Sequence, residues 1–123
     1  MAPDQSYLSS NPMKKLKKNI YIDGRRTSIS FEGYIWEQLE RLGHEERLTS
    51  DELFSTIEAS RPDDLNISSV IRYLVLKILA MREHAGLETI EELHEQNSPF
   101  PSPFYNVLAS LKEDAVYIKD TTN

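Results

Sequence analysis

Between Lys14 and Phe31, in the stretch KKLKKNIYIDGRRTSISF, two signals coincide that occur together nowhere else in the chain. Thr27, Ile29 and Phe31 alternate with Arg26, Ser28 and Ser30, the period of a strand whose successive side chains point to opposite faces. The same stretch holds Lys14, Lys15, Lys17, Lys18, Arg25 and Arg26 against the single acid Asp23, inside a chain of formal net charge -6. A strand built this way buries one face and offers a guanidinium and two small hydroxyls on the other. That is the surface a strand needs to read a DNA groove.

The segment also carries a hairpin signal. Asp23-Gly24 between two strand-like runs suits a two-residue turn with positive φ. Such a turn pairs Ile22 with Arg25, Tyr21 with Arg26, Asn19 with Ser28 and Lys17 with Ser30, and paired residues share a face. Lys17, Asn19, Tyr21, Arg26, Ser28 and Ser30 then form one polar, basic surface, with Ile20, Ile22, Thr27, Ile29 and Phe31 behind it. The competing reading is a solvated arm, Lys14 to Lys18, leading into an ordinary edge strand, because charge runs are commonly just solvated.

An acidic chain argues against a nucleic-acid partner until its charge is mapped. Residues 83–123 carry Glu83, Glu88, Glu91, Glu92, Glu95, Glu113, Asp114 and Asp120 against Lys112 and Lys119, which accounts for the whole of the -6, so residues 1–82 are neutral overall. The field at the basic segment is therefore free to be positive. With 123 residues and 28% charged content the chain suits one modest globular domain. No run approaches the roughly 18 apolar residues of a membrane span, and MAPDQSYLSSNP lacks the order of a signal peptide. The expectation is a cytoplasmic, nucleoid-associated protein that does not engage membranes. Lack of cysteine excludes disulfides, thiol catalysis and thiolate metal sites.

Three helices are expected after the strand. Ile35, Trp36, Leu39 and Leu42 recur at spacings of three and four, and Gly43 with the polar run after it is expected to end that helix. Thr49 and Glu52 have capping-box spacing ahead of Leu53, Phe54 and Ile57, in a short helix closed before Pro62. Asn66 suits an N-cap for the clearest pattern in the chain, Ile67, Val70, Ile71, Leu74, Val75 and Ile78. Leu76, Leu79 and Met81 make this last helix apolar on more than one side, which predicts a covering that a second chain would supply.

The order strand, helix, helix, with Arg26-Thr27-Ser28-Ile29-Ser30-Phe31 leading and Leu65-Asn66-Ile67-Ser68-Ser69-Val70-Ile71-Arg72 opening the last helix, resembles the ribbon-helix-helix family of bacterial DNA-binding proteins. More narrowly it resembles small bacterial members in which a basic, Gly-containing segment precedes an Arg-Thr-Ser-Ile-Ser strand and an extra helix separates the two standard ones. The resemblance implies a mainly α fold with a short β-ribbon, formed as a ribbon-helix-helix homodimer with an additional inserted helix and a helical C-terminal extension. It implies antiparallel pairing of strands from two chains and insertion of the ribbon into the major groove of double-stranded DNA. Carried over by position, base contacts fall on Arg26, Ser28 and Ser30. Contacts to the DNA backbone fall on Lys14, Lys15, Lys17, Lys18, Asn19, Tyr21 and Arg25 and on the helix entry at Asn66, Ser68 and Ser69. The dimer core is expected at Ile29, Phe31, Trp36, Val70, Ile71, Leu74, Val75 and Ile78. The loop between the standard helices is normally a few residues, whereas Gly43 to Leu65 spans about twenty.

The implied organisation is a flexible arm over 1–13, a DNA-binding and dimerisation domain over 14–82 and an acidic extension over 83–123. In the extension Leu87, Ile90 and Leu93 suggest a short helix, Asn97 to Pro103 a break with three prolines, and Ser102-Pro103 a further helix with Phe104, Val107, Leu108 and Leu111 on one face. This region either packs on its own dimer, binds a protein partner or folds over the basic ribbon as a mobile acidic competitor.

Catalysis finds little support. His44, His84 and His94 are separated without metal-ligand spacing, and no GxSxG, HExxH or phosphate-cradling glycine loop occurs. The expectation is a transcriptional regulator, not an enzyme, without cofactor or metal. The alternative is a dimeric interaction or adaptor module whose acidic end binds a partner.

Overall fold

The computed structural model describes residues 13–86 and 102–122. Within them the order is strand β1 (Lys15–Ile22), strand β2 (Arg25–Glu32), helix α1 (Gly33–Glu46), helix α2 (Ser50–Ser60), helix α3 (Ile67–Ala85) and helix α4 (Pro103–Thr122). The fold is therefore mainly helical, with an antiparallel two-stranded ribbon leading. Residues 1–12 of the expected arm over 1–13, the helix around Leu87 to Leu93 and most of the proline-rich break lie outside the described residues. Two compact units divide the chain, residues 1–55 and 56–123.

In the first unit the hairpin has the register that the Asp23-Gly24 turn dictates, from Ile22 opposite Arg25 to Lys15 opposite Glu32. Asp23 and Gly24 have φ of 51° and 80°, the two positive values a type I′ turn requires, and such a turn matches the right-handed twist of the strands. The Asp23 N–H donates to Ser55 Oγ at 2.9 Å, which ties the turn to α2. Ile20, Ile22, Ile29 and Phe31 are buried on the inner face. Phe31, Trp36 and Phe54 stack edge to face at 5.3 and 6.5 Å, an arrangement contributing about 0.5–1.5 kcal/mol per pair beyond area burial. Trp36 also donates its indole N–H to the Leu16 carbonyl at 2.8 Å, fixing α1 against β1.

Helix α1 does not stop at Gly43. It continues to Glu46 and ends at Arg47, whose φ of 59° turns its N–H back onto the carbonyls of Gly43 and His44. Gly43 serves close approach instead: a Cβ there would lie 3.2 Å from the Leu48 carbonyl oxygen, which the returning chain brings over the helix. The capping box at α2 forms in both directions, Thr49 N–H to Glu52 Oε1 at 2.8 Å and Glu52 N–H to Thr49 Oγ1 at 3.2 Å.

In the second unit, α3 is capped by Asn66, whose Oδ1 accepts the Ser69 N–H at 2.8 Å, and runs on to a left-handed Gly86. Val70, Ile71, Leu74, Val75 and Ile78 are buried within the single chain. The same holds for Ile29, Phe31 and Trp36 in the first unit. The chain thus covers this stripe of α3 itself, while Leu76 stays exposed and Leu79 and Met81 half-buried. Helix α4 lies antiparallel to α3, joined by Asp64 to Lys119 at one end and Lys77 to Asp114 further along, and buries Phe104, Val107, Leu108, Leu111 and Ile118. The periodicity of α3 could not reveal a cover supplied from beyond a proline-rich break.

The α3–α4 seam is closed by a polar cluster. Asp114 Oδ2 accepts from Tyr73 Oη at 2.6 Å, Lys77 Nζ at 2.8 Å and Ser110 Oγ at 3.1 Å. Burial alone would raise the Asp114 carboxyl, but the bonds from Lys77 and Tyr73 more than offset it and hold it below the usual carboxylate range. Tyr73 is raised by burial and by the carboxylate it donates to.

Candidate nucleic-acid interface

The outer face of the hairpin collects the polar residues that the turn register assigns to it. Lys15, Lys17, Asn19 and Tyr21 of β1 and Arg26, Ser28 and Ser30 of β2 are all exposed, while their inner neighbours Ile20, Ile22, Ile29 and Phe31 are buried. Cations run along this face from Lys15 to Arg26, with Glu32 opposite Lys15 at the far end. Lys14 and Arg25 are exposed at the two ends of the hairpin. Lys18 lies on the other face, its ammonium 5.2 Å from the Trp36 ring centroid.

Backbone pairing gives this face its spacing. The Gly33 N–H donates to the Lys14 carbonyl at 3.1 Å, so the hydrogen-bonded rungs are 14–33, 16–31, 18–29, 20–27 and 22–25. The rungs of the polar face, 17–30, 19–28 and 21–26, are the intervening ones, on which side chains stand closer together. On the 19–28 rung the Ser28 hydroxyl donates to Asn19 Oδ1 at 2.6 Å. That bond orients the Asn19 amide with its NH2 group left to donate. By the same alternation the backbone groups of Arg26, Ser28 and Ser30 point to the second edge of β2, which no strand pairs among the described residues.

Arg26 brings five donors in a planar fork, the geometry for the two acceptors of a guanine edge. Asn19, expected from the sequence to touch the DNA backbone, stands at the centre of the polar face, where an amide matches an adenine edge. The turn register already put Asn19 on this face; its hydrogen bond to Ser28 has no signature in the sequence. At the amino end of α3, in the second unit, Asn66 is exposed and Ser68 half-buried. Ser69 is 9% exposed and its N–H is taken by the cap.

Among the described residues no group of three or more His, Asp or Glu could hold a metal ion, and no helix is long and apolar enough to cross a membrane. The family model for the ribbon-helix-helix domain matches residues 15–79, more than half of the chain. The chain belongs to the ribbon-helix-helix family. Ribbon-helix-helix domains in general bind DNA as transcription regulators. The matched region opens on the first residue of β1 and closes within α3, so the hairpin and its polar face lie wholly inside it and α4 lies outside. No curated protein and no solved structure matches the chain.

Proposed function

We propose that this ribbon-helix-helix protein regulates transcription as a homodimer that inserts its ribbon into the major groove. The observation that carries the reading is the segregation of the hairpin: every residue of the 17–30, 19–28 and 21–26 rungs is polar or basic and exposed, over a buried apolar face. Dimerisation runs through the edge of β2 that no strand pairs among the described residues, where two copies related by a twofold axis continue the sheet as β1-β2-β2-β1. Strands are about 4.8 Å apart, so four of them are wider than the roughly 12 Å major groove once side chains are added. The central β2 pair therefore enters, with Arg26, Ser28 and Ser30 at base edges. The outer β1 strands ride on the groove walls, where Lys14, Lys15 and Lys17 meet phosphates. Asn19, hydrogen-bonded to Ser28, is directed inward from β1. Asn66 and Ser68 at the α3 entry suit a further phosphate.

The test is an anisotropy titration of the full chain with genomic DNA fragments at two salt concentrations. Sequence-selective binding with a steep salt slope supports the proposal. Equal and weak binding to all fragments, or none, would reject it in favour of a protein-interaction module.

A further inference from the structure

A cleft of about 280 Å3 lies within the first unit, between β1 and the helices α1 and α2. We propose that it binds a small organic monoacid, an aromatic or branched-alkyl carboxylate. The walls are Ile20, Trp36, Leu39, Leu53 and Phe54, five core side chains whose edges face the cleft and suit an apolar body. Its volume is at the small end of the range for ligand sites, enough for one or two rings. The cleft margin is polar. Lys18, with its ammonium over the Trp36 ring, supplies the cation that a carboxylate seeks where the apolar body ends, and His44 adds a second donor. Glu40 borders the same cleft and repels a second negative charge, which selects a monoacid over a diacid. Of the residues lining the cleft only Asn19 belongs to the outer face of the hairpin, and the groups named here for the ligand do not.

Trp36 is the only tryptophan in the chain and lines the cleft, so its fluorescence reports occupancy directly. The full-length protein, without DNA, is titrated with phenylacetate and with its uncharged analogue phenylacetamide. Phenylacetate is expected to give a saturable change in Trp36 emission and to bind more tightly than the amide. Lys18→Met should weaken phenylacetate by about two- to five-fold, the range of a partly exposed ion pair, and narrow the difference between acid and amide, with the amide unchanged. Ser50→Phe, placing a ring at the exposed start of α2 beside the cleft, should abolish the signal at an unchanged melting temperature. The proposal is overturned by no saturable change with phenylacetate, by equal affinity of acid and amide for the unmodified protein, or by full binding to a folded Ser50→Phe protein. Should Ser50→Phe fail to fold, the Lys18→Met comparison decides.

Discussion

The hydroxyl of Ser28 donates to Oδ1 of Asn19 at 2.6 Å across the hairpin, making one polar unit from the two strands at the middle of the exposed face. Ser28→Ala removes the bond that orients the Asn19 amide. Because both groups face solvent, stability should change by no more than about 0.5 kcal/mol. Under the DNA reading, affinity for the preferred site should fall while affinity for unrelated DNA stays level. Melting and anisotropy on the same preparation check both; an equal loss on all sequences would remove this pair from base recognition.

Arg26 and the lysines of β1 should separate specificity from general affinity. Arg26→Ala is expected to cost about 1–3 kcal/mol for each base edge no longer read and to flatten the preference between sites. Replacing Lys15 and Lys17 should weaken all sequences alike and make the dependence on salt shallower, by about 0.9 in the logarithmic slope for each phosphate no longer neutralised. Arg26 behaving as the lysines do would make it a phosphate ligand.

Ser30→Pro tests the dimer seam proposed above. Its N–H points to the edge of β2 that no strand pairs among the described residues, so proline there removes a donor that the proposed dimer uses between chains but none used within the hairpin. Sedimentation should find a folded monomer in place of a dimer, with melting no longer dependent on protein concentration. A dimer that survives the substitution uses another surface.

The α3–α4 seam should respond to acid. Asp114 titrates lower in the folded chain than the roughly 3.9 of a free aspartate, so its contribution is complete above that value and is lost as pH falls through the folded pKa. Lys77 is raised: burial would lower it, but the bond to Asp114 prevails, so its share persists below about 10.4 and disappears as pH climbs past the folded value. Denaturant titrations at pH 3 and pH 7 should show the unmodified protein losing stability toward acid, and Asp114→Asn losing less between the two. At pH 7 Asp114→Ala should cost about 1–3 kcal/mol, since Tyr73 and Lys77 lose their common acceptor.

Phe104→Ala examines whether α4 is core or appendage. The ring is fully buried, so truncating it should cost about 3–5 kcal/mol. Removal of everything after Arg82 should likewise lower the melting temperature, because it uncovers α3. A truncated chain of unchanged stability with higher DNA affinity would instead make the acidic segment a competitor for the ribbon.

What residues 15–32 become was decided locally. A two-residue Asp-Gly turn admits one register, and with side chains alternating at period two that register determines which residues face solvent and which face the core. The capping box at Thr49 and Glu52 and the cap at Asn66 were legible for the same reason, since donor and acceptor lie three residues apart. Features built from residues distant in sequence were not. Gly43 reads as a helix stop until the Leu48 carbonyl is found against it. The apolar breadth of α3 does not reveal that α4, beginning at Pro103, covers part of it and supplies Asp114 to Tyr73 and Lys77. A periodic pattern states that a face will be buried, because apolar surface leaves water wherever it can. Which segment buries it depends on long-range packing that periodicity does not encode, and only the tertiary structure decided it.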